Sequence, residues 1–237
     1  MDRNGNPMAS PSRSVTSAHR HRSPMIYITG SDGTGKTTQV HRLMEVLTAQ
    51  GLPVIHRWLR FPFRLSGLLL VYARIRGLSW YEAHPYGRQG YWDFHASWLM
   101  QHVFPIVLWF DALSVAIQAV YWPISRGNII VCERFVVDML ADLMVATQDF
   151  GLLKRWYARW FMRLLPARTL VILLDGDPVH IRQRRPDLAY DRVLSDRIRA
   201  VRIIAAQCGW PLIAADQSID AIHQTICTFV EDCYVSA

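Results

Sequence analysis

Residues 30–38 read GSDGTGKTT, and the rest of the fold can be worked outward from this run. It satisfies GxxxxGK(S/T) through Gly30, Gly35, Lys36 and Thr37. An apolar β-branched stretch, 25–29, precedes it, and a helical pattern with Val40, Leu43, Met44 and Leu47 on one face follows. Strand, glycine loop and helix in that order are the context a phosphate-cradling loop requires. Glycines let backbone N–H groups turn toward a polyphosphate at the positive end of the helix dipole. In this reading Gly30, Ser31, Asp32, Gly33, Thr34, Gly35, Lys36, Thr37 and Thr38 bind ATP. Lys36 reaches the β and γ phosphates, and the Thr37 hydroxyl holds Mg²⁺.

Beyond the loop, short apolar strands alternate with longer helical stretches, the pattern of a parallel sheet covered on both faces. Strands are expected at 25–29, 53–57, 128–132, 169–175 and 211–215. Helices are expected at 36–50, 65–76, 91–121 (in one or two pieces), 137–147, 152–165, 178–184, 191–207 and 219–234. Gly51 and Pro166 supply stop signals. The fold class is therefore α/β, three layers with a five-stranded parallel sheet covered by helices on both faces. Ligands of such sheets sit at the carboxyl ends of the strands.

Composition narrows the class. The 237 residues suit one α/β domain, and 51% hydrophobic against 19% charged residues excludes a disordered chain. The net charge of +7 suits phosphate-bearing ligands, and arginine phosphate clamps account for it without nucleic acid. Cys132, Cys208, Cys227 and Cys233 form no CxxC pair and no zinc spacing, which predicts a reduced cytoplasmic protein. Residues 1–24, rich in Ser, Pro, Arg and His, have no apolar run for a signal peptide and read as a disordered basic tail. The domain then spans 25–237.

The strand ends carry further signals. LRFPFRLSG follows the second strand, with Phe61, Pro62 and Arg64; CERF ends the third, with Glu133, Arg134 and Phe135. LLLDGDPVHIRQRR ends the fourth, with Asp175, Pro178, Arg182, Arg184 and Arg185. In this order, behind a GxDGxGK(S/T) loop, the chain resembles the thymidylate kinase family from about residue 25 onward. That resemblance implies a three-layer P-loop kinase fold and phosphoryl transfer from ATP, with Mg²⁺, to a nucleoside monophosphate, dTMP by family default. It implies that Lys36, Arg134 and Arg184 are catalytic. Asp32, Arg64, Phe61, Phe110, Asp111 and Arg134 would bind the acceptor. Thr37 and Glu133 would attend the metal, and Arg182, Arg184 and Arg185 would form a short lid near 182–190. Forked arginine donors match phosphate oxygens two at a time. A homodimer is compatible with the family.

Departures from the family pattern fall on the acceptor side. Ala112 follows Asp111 where the family has an arginine, and no arginine occurs between Arg88 and Arg126. Asp138, Met139, Asp142 and Leu143 stand where base-reading side chains are usual, and Glu133 replaces an aspartate. A site without its hydrogen-bonding partner for the base loses discrimination steeply. Two alternatives to a dTMP kinase therefore stay open: a phosphotransferase of the same fold acting on another phosphorylated metabolite, and a low-turnover ATP-binding regulatory protein. No NKxD segment for guanine is present.

Two apolar stretches also suggest membranes. Residues 98–122 are long enough to span a bilayer, but Asp111 near their centre is costly there, so a buried helix lining the acceptor pocket is expected. KRWYARWFMRLL, 154–165, places Arg155, Arg159 and Arg163 on one stripe with Trp156 and Trp160 beside it. It is expected to cover the sheet with its aromatic side inward, and membrane association is not expected.

Overall fold

The three inner strands of the sheet alternate their side chains between two cores. In β1 (Met25–Gly30), Met25 and Tyr27 enter one cluster while Ile26 and Ile28 enter the other. The period of two makes this unavoidable for a strand buried on both faces. The structure, a computed structural model, describes residues 25–235; the expected tail at 1–24 lies outside them. Chain order continues with α1 (Lys36–Ala49), β2 (Val54–Trp58), α2 (Ser66–Ile75), β3 (Ser79–His84) and β4 (Gly87–Trp92). Then follow α3 (Trp98–His102), α4 (Phe104–Ala116), a π-helical turn Ile117–Tyr121, α5 (Trp122–Ser125) and β5 (Ile129–Glu133). The remainder is α6 (Val136–Thr147), α7 (Trp156–Met162), β6 (Leu170–Asp175), α8 (Pro178–Arg184), α9 (Leu194–Cys208), β7 (Leu212–Ala214) and α10 (Ile219–Val235).

The five-stranded sheet is parallel, in the order β2-β5-β1-β6-β7. Helices α1 and α10 cover one face through Val40, Leu43, Leu47, Ile222, Ile226 and Val230. The opposite face carries α4, α6, α7 and α9, with Leu108, Leu140, Phe161 and Ile204 buried against Tyr27, Ile130 and Leu173. All five expected strands are present, and helices lie on both faces of the sheet.

Two expectations fail. The stretch expected to begin a helix at Tyr91 instead pairs as β4 with β3, in an antiparallel hairpin that aligns Ser79 with Trp92 and His84 with Gly87. Aromatic residues on both strands, with Trp80 directly opposite Tyr91, and Pro85 and Gly87 at the turn, drive that pairing. The helical run begins only at Trp98. Among the described residues, 98–125 is the one helical run long and apolar enough to cross a membrane. Its stripe of Phe104, Leu108, Ala112, Ala116 and Val120, four residues apart, is fully buried. The second failure concerns α7. Tyr157, Ala158 and Phe161 turn inward, whereas Trp156 and Trp160 face outward.

Candidate functional site

The glycine loop leaves β1 at its carboxyl end, between β5 and β6, and runs into α1. Gly30 has φ 140° and lies so close to Leu174 that a Cβ would collide with that residue's carbonyl oxygen. Gly33, with φ 83°, supports the side chain of Ile181, and a Cβ there would sit 2.9 Å from it. Only glycine meets both demands. Gly35 precedes α1 in a left-handed conformation with no side chain to cap the helix, and no acidic residue lies in the first turn. The first-turn N–H groups, with the helix dipole behind them, are thus left for a ligand.

Lys36 is only 5% exposed, and its Nζ donates to the Ser31 carbonyl at 2.6 Å. Thr34 Oγ1 donates to the same oxygen at 2.9 Å. Burial is the main reason the Lys36 amine falls from 10.5 to about 8; Asp138 and Glu133 resist the fall, and Arg60 and Arg185 add to it. A desolvated, underpaired ammonium gains most from an arriving polyanion. Thr37 Oγ1 donates to Glu133 Oε2 at 2.9 Å, which joins the start of α1 to the end of β5. Glu133 is buried and lies 3.8 Å from His56 Nε2. Thr38 is exposed in the first turn of α1, whereas Ser31 belongs to the loop and its Oγ is buried without a hydrogen-bond partner.

Arg134 follows β5 with φ 60°, a left-handed conformation that costs a non-glycine residue about 1 kcal/mol. Its guanidinium pairs with Asp32 of the glycine loop and approaches Asp138 at 3.4 Å. Its carbonyl accepts Leu59 N–H at 3.0 Å, which ties it to the end of β2. Asp138, at the start of α6, is buried under three donors. Tyr27 Oη lies at 2.7 Å, Thr29 Oγ1 at 2.9 Å and the Phe135 N–H at 3.2 Å. Burial, then the Asp138 charge, holds the Tyr27 phenol protonated well above its ordinary range.

The network continues through residues that were not expected in the site. Arg60 sits 3.9 Å from Asp32 and 3.8 Å from Asp142. Its Nε is buried and unpartnered, so much of its donor capacity is unspent. Asp142 in turn binds Arg197 at 2.9 Å, and Arg197 binds Asp191 at 2.7 Å. Burial works against the Arg197 charge, but Asp142 and Asp191 outweigh it and raise its pKa. A cleft of about 690 Å³ opens here, with Arg60, Asp142 and Arg197 in one wall. Phe61, Phe63, Leu70, Val71, Tyr91 and Trp92 supply the apolar lining. Phe61 and Phe63 stack at 4.9 Å, and Trp92 closes edge-on against both. The strand-end rule that selects Arg64 would have selected Arg60, two residues beyond β2, more directly.

Several expected acceptor contacts lie elsewhere. Arg64 is exposed, does not line the cleft, and donates to Gln118 Oε1 at 3.2 Å. Asp111 accepts the N–H groups of Arg64, Leu65 and Ser66 at 3.0, 3.0 and 2.8 Å, and the Ser66 hydroxyl at 2.6 Å. It caps α2 from the neighbouring helix. Burial alone would raise its pKa, but these hydrogen bonds hold it below the ordinary carboxylate value. Phe110 is on the outer side of α4, half exposed, and the 98–125 run contributes no wall to the cleft. Its buried stripe is spent on the core. Phe61 lines the cleft, whereas Arg134 lies outside its lining, engaged with Asp32 and Asp138.

The segment expected to form a lid folds as α8 and a 3₁₀ turn, Pro186–Tyr190, around a small core of Ile181, Leu188, Leu194 and Ile198. Arg184 does not turn toward Lys36: its Nη1 donates to the Ala215 carbonyl at 2.7 Å, beyond β7. Arg182 Nε is buried without a partner. Arg185 is the lid arginine whose charge reaches Lys36; it also pairs with Asp187 at 2.9 and 2.8 Å. The β3–β4 hairpin clasps this segment. Tyr91 Oη donates to the Tyr190 carbonyl at 3.0 Å, His84 stacks on Tyr190 at 5.1 Å, and Glu82 pairs with Arg192 at 3.1 Å.

No cluster of three or more His, Cys, Asp or Glu side chains suited to a metal occurs among the described residues. A hydroxyl and one carboxylate, Thr37 and Glu133, are nevertheless the hard-oxygen donors that Mg²⁺ accepts when phosphates and water complete its shell. Neither a scan against protein-family models nor a search among curated proteins returns a match for this chain.

Proposed function

We propose that this chain is a P-loop phosphotransferase of the thymidylate kinase type, moving the γ-phosphoryl group of ATP to a phosphorylated small-molecule acceptor. The observation that carries the reading is Lys36, a buried amine lowered to about 8 beside an uncapped helix start and a glycine loop with positive φ angles. In this proposal the loop N–H groups and Lys36 bind the triphosphate. Thr37 and Glu133 hold Mg²⁺, which supplies charge neutralisation at the phosphates when bound. Arg134 orients the acceptor phosphate and Arg60 takes the part expected of Arg64. Arg185 brings lid charge toward the transferring group. No covalent nucleophile is required, because positioning and electrostatics supply most of the rate.

The cleft favours an acceptor other than dTMP. Beside the charged wall of Arg60, Asp142 and Arg197 its lining is aromatic and aliphatic, Arg64 is turned away, and Asp111 is committed to capping α2. A ring or alkyl group could pack between Phe61, Phe63 and Trp92; Leu143 stands where the family has its base-reading amide, and the amide that lines this cleft is Gln89, from the hairpin. The test is ADP release with MgATP over a panel of dTMP, CMP, UMP, AMP and non-nucleotide phosphomonoesters, with Lys36→Ala as control. One or more acceptors should raise ADP release at least about tenfold over the acceptor-free rate, and Lys36→Ala should abolish the gain. Selective use of dTMP would overturn the acceptor assignment. Absence of MgATP binding would overturn the P-loop assignment, and MgATP binding without transfer to any acceptor would favour a regulatory ATP-binding protein.

A further inference from the structure

The outward sides of α2, α4 and α7 join into one apolar surface. On α2, Leu65, Leu68, Val71 and Ile75 form a stripe at helical spacing, with Leu68 71% exposed. On α4 and the π turn, Phe110 and Ile117 point the same way one heptad apart, 52% and 53% exposed. On α7, Trp156 is 51% exposed and packs edge-on against Trp160 at 4.6 Å. Contacts make the three helices continuous. Phe110, Trp109, Trp160 and Trp156 form an aromatic chain with centroid spacings of 5.0, 5.2 and 4.6 Å. At the other edge, Arg64 bonds Gln118, and Asp111, next to Phe110, caps α2.

The charge around this surface has one sign. Arg64, Arg126, Lys154, Arg155, Arg159 and Arg163 border it, whereas α2, α7 and residues 112–132 contain no Asp or Glu at all. Asp111 is buried and Asp149 is engaged with Arg155 at 3.1 Å. Tryptophan and phenylalanine among leucines, with arginines whose stems lie along apolar surface and whose heads reach outward, match a headgroup–acyl boundary. A second copy of this chain would set the same cations against each other across a two-fold axis. An anionic lipid surface complements them.

We propose that this face seats the protein on an anionic bilayer, lying in the interface and not crossing it. The buried stripe of the 98–125 run stays in the core, and only its Phe110–Ile117 side meets lipid. The face shares Val71 and Ile75 with the cleft lining, but the residues that test it, Leu68, Trp156, Arg159 and Arg163, lie outside that lining, so the proposal stands apart from the phosphoryl-transfer reading.

The test is flotation of the full chain with vesicles of phosphatidylcholine, alone or with about 30% phosphatidylglycerol, with circular dichroism of every variant. Retention is expected on the anionic vesicles and should fall at least about tenfold on phosphatidylcholine alone. Arg159→Gln combined with Arg163→Gln should weaken it about 25-fold, taking about fivefold for each cation near the surface. Leu68→Ser combined with Trp156→Ser should weaken it at least about tenfold at unchanged helical content. No retention on anionic vesicles, or equal retention by well-folded variants, would overturn the proposal. So would light scattering that shows a dimer which Leu68→Ser/Trp156→Ser dissociates, because a second copy would then own the face.

Discussion

Replacing Asp111 separates a structural role from a substrate role. The side chain is 2% exposed and accepts four hydrogen bonds, two of them from Ser66, which is itself fully buried. In Asp111→Ala the Arg64 and Leu65 N–H groups, only part-buried, can find water, but the Ser66 N–H and hydroxyl cannot. Two buried donors left unpaired cost about 1–3 kcal/mol each, so the variant should lose about 4 kcal/mol. Asp111→Asn keeps one acceptor oxygen and should lose about 2 kcal/mol. Against a typical total of about 5–15 kcal/mol, both losses are readily visible in urea unfolding at neutral pH. The pH dependence has a definite sign. The folded carboxyl titrates below its ordinary value, so its stabilisation is complete above about pH 4 and disappears as pH falls through the folded pKa. The gap between wild type and Asp111→Asn should therefore narrow in acid. Unfolding within about 1 kcal/mol of wild type for both variants, with a raised acceptor KM, would refute the capping assignment and restore Asp111 to the acceptor site.

Three further outcomes follow from the site. Lys36→Met should abolish phosphoryl transfer yet stabilise the ligand-free protein at pH 7 by up to about 3 kcal/mol, because a lysine lowered from 10.5 to about 8 costs the fold 1.36 kcal/mol per unit. Wild-type stability rises between about pH 8 and pH 10.5 as the folded amine is already neutral, so urea titrations at pH 7 and 10.5 should show the advantage shrinking; a less stable variant at pH 7 would contradict the burial argument. Arg60→Ala should weaken acceptor use by about tenfold or more while Arg64→Ala changes it by less than about threefold, read as kcat/KM at saturating MgATP, and the reverse ranking would reinstate Arg64. Gly33→Ala should impair MgATP binding, measured by calorimetry, because its Cβ would press on Ile181 at a positive φ; wild-type affinity would show that the loop tolerates the shift.

The strands were legible because a parallel sheet buried on both faces needs near-continuous apolar runs, and β1, β5 and β6 are mostly apolar. Turning an amino-acid pattern into a site was harder where one side chain serves an element far away in sequence. Asp111 caps residues 45–47 positions earlier, and no local spacing announces that. Arg60 and Arg64 are four residues apart in one loop, and only the turn through Pro62 decides which faces Asp32. The hairpin at 79–92 did carry legible signals, Pro85 and Gly87 between aromatic runs, but the apolar stretch after it invited a helix begun too early. The orientation of α7 was not legible, since both of its sides are aromatic and only packing determines that Phe161 enters the core while Trp156 does not.

The clasp between the hairpin and the 178–192 segment is the weaker of that segment's two moorings. The hairpin holds it by a hydrogen bond at Tyr91, one stacked pair at His84 and one surface ion pair at Glu82. Such contacts contribute about 1, 1 and 0.5 kcal/mol. Their sum, about 2.5 kcal/mol, lets the hairpin alone part from the segment about one time in seventy. The other mooring stays fast meanwhile: Ile181 in its small core, Arg184 on the Ala215 carbonyl and Asp191 on Arg197. Residues 79–92, which contribute no strand to the main sheet, thereby act as a weak spring that lets go before the segment beside the glycine loop does.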